Sequence, residues 1–203
     1  MDTQSAARLL KQVYRGLSGY DVDDTERQSI QAQGAAPVYG ELTFKGVRTL
    51  LDNLPVPLSG SDVFYDLGSG NGKVCTQLWL ITEVKKSVGI ELSPTRHAQA
   101  ETARQRLLSR EPGLAARAQA LAFHRADFLS ADIADATIVY FLAFSFPDAL
   151  LDRLFAKLRS ECPNLRWILS GKFYQAQPPI RLVKTFRADA DFGPHCYINL
   201  YTL

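Results

Sequence analysis

Three glycines at every second position, Gly68, Gly70 and Gly72, follow an acidic residue, Asp66, that interrupts the apolar run Val63-Phe64-Tyr65-Asp66-Leu67. Glycines so placed let the backbone turn sharply and approach a ligand with no Cβ in the way. A helix opening at Lys73 would present its free N–H groups at the same turn, where a polar or anionic group can be held. A second acid, Glu91, closes the next apolar run, Ser87-Val88-Gly89-Ile90. A carboxylate at that place can accept hydrogen bonds from both hydroxyls of a ribose. The chemistry on offer is the grip of a nucleoside-bearing ligand. The spacing is G-x-G-x-G and not the G-x-G-x-x-G that cradles a pyrophosphate, which weighs against a nicotinamide-dependent oxidoreductase. No histidine is placed to act as a base: His97 falls on a helix, His124 within a strand and His195 at a turn. Cys75, Cys162 and Cys196 are scattered, with no C-x-x-C or His/Cys spacing, so no metal site is expected.

The elements that must position these residues are legible from periodicity. Val63–Leu67 has the β-branched and aromatic content of a central strand. Before it, the spacing predicts a helix over residues 3–17, with Leu9, Leu10, Val13, Tyr14 and Leu17 on one face. A polar linker with room for a short helix follows over residues 18–36, then a helix from Leu42 to Leu54 that Pro55 and Pro57 stop. After the glycine turn come a helix over 73–83, a strand over 87–91, and a helix that Ser93-Pro94 opens and Pro112-Gly113 stops. Strands are predicted over 121–126, 137–142 and 167–169, with a helix opening at Pro147 before the last of them. The alternating segments 180–188 and 196–203 read as a terminal antiparallel pair. The predicted fold is α/β: a doubly wound, mostly parallel seven-stranded sheet with a short N-terminal helical extension. Residues 1–36 form the extension and residues 37–203 the main domain. Right-handed crossovers bring Asp66, the glycines, Glu91, Asp127, Phe128 and the stretch Tyr140–Phe144 to one rim of that sheet.

The chain has 203 residues, 46% hydrophobic and 22% charged, enough to bury a core without a disulfide or metal. Three unpaired-looking cysteines and an N-terminus without a secretory pattern predict an intracellular protein, with cytoplasm and nucleus not distinguished. Nothing approaches the apolar length of a membrane span. A net charge of +2, spread along the chain, gives weak support for nucleic-acid affinity.

The turn Asp66-Leu67-Gly68-Ser69-Gly70-Asn71-Gly72 with Glu91 resembles the S-adenosylmethionine site of class I methyltransferases. Four further stretches narrow the resemblance: Val38-Tyr39-Gly40-Glu41-Leu42, Ala126-Asp127-Phe128-Leu129-Ser130, Ile138-Val139-Tyr140-Phe141-Leu142-Ala143-Phe144 and Ser170-Gly171-Lys172-Phe173. In matched order over residues 37–175, they resemble the non-SET histone lysine methyltransferases, the disruptor-of-telomeric-silencing family. The resemblance implies S-adenosyl-L-methionine as cofactor and a protein lysine as acceptor. Tyr39 and Glu41 would cover the methionine end, with Asp66, Gly68 and Gly70 at the amino-acid part. Glu91 would hold the ribose, Asp127 the adenine amino group, and Phe128 would pack on the ring. Phe144 would wall the channel for the acceptor amine. One departure is clear. The family's Asn-Asn pair is replaced by Tyr140 and Phe141, so a polar contact near the methyl group is missing or supplied by the Tyr140 hydroxyl.

Deprotonating a lysine at neutral pH costs about 4–5 kcal/mol from a reference pKa near 10.4. An apolar channel and a nearby sulfonium both lower that pKa, so no dedicated base is required. Positioning can supply about 7–11 kcal/mol of the barrier reduction, and aromatic walls hold cations by cation–π attraction. Tyr39, Tyr140 and Phe144 are the residues expected to act at the reacting centre; Phe146 and Tyr174 are expected in ordinary packing. Two other acceptor classes stay open, RNA and small molecules, although strand four lacks the N/D-P-P-Y/F tetrad of nucleic-acid amine methylation. A non-catalytic partner subunit with the same fold also stays open.

Overall fold

The computed structural model describes residues 2–32 and 37–203. Its elements run α1 (Thr3–Val13), α2 (Asp24–Ala32), α3 (Phe44–Asp52), β1 (Val63–Leu67), α4 (Lys73–Ile81), β2 (Lys86–Glu91), α5 (Pro94–Arg110), a 3-10 segment (Pro112–Ala120), β3 (Leu121–Arg125), β4 (Ile138–Phe141), α6 (Asp148–Glu161), β5 (Trp167–Ser170), β6 (Arg181–Ala190) and β7 (Gly193–Thr202). The seven strands form one sheet in the order β3-β2-β1-β4-β5-β7-β6. The first five are parallel, and β7 joins β5 and β6 antiparallel. The predicted doubly wound sheet is the observed one, and β1 lies where the strand order reverses. Open α/β sheets bind ligands at that switch point, outside the carboxyl ends of the strands.

β1 and β4 are buried along their whole length, as their near-continuous apolar sequences require of strands covered on both faces. On one face, Phe64, Tyr140, Leu169 and Leu200 pack with α1, α3, α4 and α5. On the other, Tyr65, Val139, Phe141 and Tyr201 pack with Leu151, Leu154, Phe155 and Leu158 of α6. α1 starts where Asp2 accepts from the amides of Gln4 and Ser5, both at 3.0 Å. It stops at Val13, short of the predicted Leu17, because Gly16 takes a left-handed φ of +73°. The stripe Ala6, Leu9, Leu10 and Val13 is buried in the sheet's own core, and the Tyr14 hydroxyl lies 2.8 Å from that of Thr76 on α4. The N-terminal extension is therefore packed into the main body. Of the stretch 18–36, residues 24–32 are α2, and residues 33–36 lie outside the described residues.

α3 packs on β6 through Gly46, where a Cβ would stand 2.0 Å from the carbonyl oxygen of Asp189. Thr43 caps it, accepting from the Gly46 amide at 3.1 Å and holding the Asp189 carboxylate at 2.6 Å. Those contacts tie the loop before α3 to the tip of the β6–β7 hairpin. After α5, Pro112–Ala120 winds into a 3-10 segment before β3. Among the described residues, no helix is long and apolar enough to cross a membrane.

Candidate active site

The chain leaves β1 at Leu67 and turns through Gly68, Gly70 and Gly72, all left-handed, with φ of +84°, +55° and +78°. Gly70 must also lack a side chain for space, since a Cβ there would lie 2.5 Å from the Tyr39 ring. Gly72 precedes α4 and offers no side-chain cap, which leaves the first turn of that helix open toward the loop.

Asp66 and Glu91 end adjacent parallel strands, and both carboxylates are buried. Among the described residues, the one donor near the Asp66 carboxylate is the Cys75 thiol, at 4.0 Å. Burial, with the neighbouring charge of Glu91, pushes the Asp66 carboxyl well above its ordinary range. Glu91 is raised too, by burial, but amides and a cation oppose the shift. Its two oxygens accept from the Gly70 amide at 2.7 Å and the Ser93 amide at 2.8 Å, and the Arg96 guanidinium bears on it.

Beside these acids lies a cavity of about 680 Å³. Gly68, Gly70 and Glu91 form one wall, and Ile30 of α2 and Arg96 of α5 close its back. Phe128 and Phe146, stacked at 5.5 Å and 25°, form another wall with Asp127 beside them. At the mouth, Phe144 and Phe192 meet edge to face at 5.6 Å, and both are about half exposed. A small pocket adjoins the cavity across the glycine turn, lined by Tyr39, Glu41, Asp66, Lys73 and Tyr140. There the Tyr39 hydroxyl donates to Glu41 at 2.5 Å, and Lys73 pairs with the other Glu41 oxygen. Burial beside Glu41 keeps the Tyr39 phenol protonated.

The structure thus brings Tyr39, Gly68, Gly70, Glu91, Asp127, Phe128 and Phe144 to the large cavity, and Glu41 and Asp66 to its annex. Tyr140 does not reach the large cavity. It is buried, stacked on Phe64 at 6.4 Å, and borders only the small pocket. Phe141 is wholly buried against Phe155, so neither side chain at the Asn-pair positions lines the large cavity. Phe146, expected in packing alone, is a cavity wall, because the chain turns back at Ala143, whose φ is +57°. Tyr174 does pack internally, 4.2 Å from Phe155. Lys172 is taken up by the Phe146 carbonyl at 2.9 Å and Asp148 at 2.7 Å. Asp127 also serves locally, accepting from the Leu129 amide at 2.9 Å. No histidine side chain lines the cavity among the described residues, and none there forms a metal-holding cluster of three or more His, Cys, Asp or Glu.

Sequence reasoning missed Ile30, Arg96, Arg153 and Phe192. Ile30 and Phe192 come from segments far from the glycine turn in sequence, and nothing local marks them. Arg96 carried a faint signal, an arginine just inside the capped start of a helix.

A family model described as histone methylation protein DOT1 matches residues 25–177. The chain belongs to the DOT1 family. The match takes in every DOT1-like motif named above and all the cavity walls except Phe192. Similar solved structures include an RNA methyltransferase from Salinibacter ruber in complex with S-adenosylhomocysteine, 22% identical with TM-score 0.50, covering 77% of this chain and 86% of that one. A tRNA methyltransferase from B. subtilis is 13% identical with TM-score 0.57, covering 80% and 67%. A SAM-dependent methyltransferase from Geobacter sulfurreducens in complex with S-adenosylhomocysteine is 18% identical with TM-score 0.52, covering 80% and 74%. These similarities establish the fold, that of class I methyltransferases.

The DOT1-type site fits an adenosyl sulfonium on its own terms. Asp66 is a buried carboxylate short of donors, as an amino-acid ammonium requires. The glycine turn has no side chains where a ligand must pass, and the aromatic pair Phe128–Phe146 makes a flat wall beside Asp127.

Proposed function

We propose that this chain transfers a methyl group from S-adenosylmethionine to the side-chain amine of a lysine in a histone-like protein. The observation that carries the reading is the DOT1 match across residues 25–177, which contains both acidic strand ends and the glycine turn between them. The cofactor, when bound, supplies an electrophilic methyl group on a sulfonium. Asp66 takes the amino-acid ammonium and Glu91 the ribose hydroxyls, using lone pairs left after the Gly70 and Ser93 amides are served. Asp127 and Phe128 receive the adenine end, and Tyr39, fixed by Glu41, covers the methionine end. Phe144 and Phe192 frame the opening through which the acceptor enters.

The acceptor must arrive with a free lone pair. The mouth is aromatic, and the carboxylate nearest it in sequence, Asp191, is occupied by Tyr20 at 2.7 Å and the Glu41 amide at 3.0 Å. Past that opening, the apolar cavity and the positive charge of the bound sulfonium would both disfavour an ammonium and so free the amine without a dedicated base. Aromatic faces hold the residual cationic character by cation–π attraction.

A second acceptor class, RNA, is supported by the similar solved structures that are an RNA methyltransferase and a tRNA methyltransferase. Replacement of the DOT1 Asn pair by Tyr140 and Phe141, both buried in packing, instead favours a non-catalytic relative. Labelled methyl transfer to histones and to a whole extract, with and without nuclease or protease, separates the readings. Label lost to protease and kept after nuclease supports a protein acceptor; the reverse overturns it. Tight binding of S-adenosylhomocysteine with no transfer to any extract would make the chain a non-catalytic relative.

A further inference from the structure

We infer that Arg96 is a positioning residue of the donor pocket, holding the backbone at Gly19 and Pro37 and the ring of Tyr39 in place beside the carboxylate of Glu91. Arg96 lies two residues inside α5 and is 5% exposed. No carboxylate forms an ion pair with it among the described residues. A buried guanidinium without a paired anion needs other compensation, which comes from two backbone carbonyls beside the site and from Tyr39, a cavity residue. Nε donates to the Gly19 carbonyl at 2.9 Å and Nη2 to the Pro37 carbonyl at 3.0 Å. The guanidinium lies over the Tyr39 ring, 5.0 Å from its centroid. That ring in turn fills the space over Gly19 and Gly70, where a Cβ would approach it to 2.1 and 2.5 Å. Ser93 completes the circuit, since its hydroxyl accepts from the Arg96 amide at 3.1 Å while its own amide donates to Glu91.

The fork geometry matters here. A guanidinium can serve two carbonyls in one plane and stack on a ring at the same time, which an ammonium cannot. The charge has a separate role. Arg96 favours the ionised form of Glu91, the form that accepts ribose hydroxyls. The other charged or titratable groups bearing on this pair are Asp66 from β1, Glu26 and Arg27 from α2, and Tyr39 from the preceding loop. Glu26 is itself committed to the start of α5, accepting from the Thr95 hydroxyl at 2.5 Å and from Ser93. Arg27 is held by the Val22 carbonyl at 2.9 Å and the Tyr20 carbonyl at 3.1 Å. Neither can replace Arg96.

The two roles separate by substitution. The Glu91 half of this inference rests on the adenosyl-cofactor reading; the backbone half does not. In the full chain, S-adenosylhomocysteine affinity is measured by calorimetry between pH 5 and 8 for wild type, Arg96→Gln and Arg96→Lys. Amide exchange over residues 18–22 and 37–42 is followed in the same proteins. Arg96→Gln is expected to weaken affinity about tenfold at neutral pH, and by more toward pH 5, where Glu91, already raised by burial, has lost the cation that opposes that shift. Arg96→Lys is expected to restore the wild-type pH profile while leaving faster exchange in both segments. A pH profile unchanged in shape in Arg96→Gln, or wild-type exchange in Arg96→Lys, overturns the inference. If wild type fails to bind S-adenosylhomocysteine, the cofactor reading falls and takes the Glu91 half with it. Exchange in Arg96→Lys then decides the backbone half.

Discussion

Replacing Asp66 by Asn should make the ligand-free protein more stable and the cofactor complex weaker. Asp66 sits at the end of β1, 3% exposed, with a thiol at 4.0 Å as its only donor among the described residues and Glu91 as a like-charged neighbour. Its carboxyl is raised from the ordinary 3.8 by burial first and by Glu91 second. The sign follows from linkage. A carboxyl that holds its proton more tightly in the folded state gives its full stability below the unfolded pKa, and that stability is lost as pH rises through the folded pKa. An amide has no charge to bury, so the advantage of Asp66→Asn, absent near pH 4, should grow with pH and then level off. Binding moves the other way. The ammonium–carboxylate hydrogen bond is charge-assisted, worth about 1.5–3 kcal/mol, or roughly ten- to a hundredfold in Kd. Thermal melts of both ligand-free proteins from pH 4.5 to 8.5 and S-adenosylhomocysteine calorimetry supply the measurements. A variant less stable than wild type at pH 8, or one that binds as tightly, would refute the assignment of Asp66 as an unsatisfied carboxylate kept for the ligand.

Two further expectations concern the scaffold. Asp62 is buried before β1 and accepts from the Ser59 amide at 2.8 Å, the Ser59 hydroxyl at 3.0 Å and the Thr137 hydroxyl at 3.0 Å, and it pairs with Arg166. Burial alone would raise its carboxyl, but those partners outweigh it and hold it below 3.8. The stability it contributes is therefore present above the unfolded pKa and lost as pH falls through the folded one. Asp62→Ala should cost about 2–3 kcal/mol at pH 7 in urea unfolding, and less as the pH drops toward 3. Gly70→Ala combines a left-handed φ, worth about 1–2 kcal/mol, with displacement of Tyr39, so S-adenosylhomocysteine affinity should fall at least tenfold. Gly113→Ala, where a Cβ meets nothing within 4 Å, should leave both stability and affinity unchanged.

The Rossmann-like order was readable because β1, β2 and β4 carry their burial in their composition and the helices between them carry caps and breakers. Ser93-Pro94 opens α5 in the sequence and in the structure alike. The placement of Asp66 and Glu91 at one rim was legible for the same reason: a parallel strand's carboxyl end has a fixed place relative to the switch point, whatever surrounds it. That logic stops at the strand ends. It assigned Phe146 to packing and gave Tyr140 a place at the reacting centre. The left-handed turn at Ala143 sends Phe146 to the cavity, while β4 keeps Tyr140 in its ladder opposite Asp66. Residues that close the site from elsewhere had little or no local signature. Ile30 arrives on α2, Phe192 at the tip of a hairpin from the other end of the sheet, and Arg96 matters only because the carbonyls of Gly19 and Pro37 come within reach. Local sequence dictates which segments become strand, turn and helix, since propensity and periodicity act over a few residues. Which distant segments share a cavity is settled by packing, because it depends on the positions of bodies that sequence neighbours do not encode.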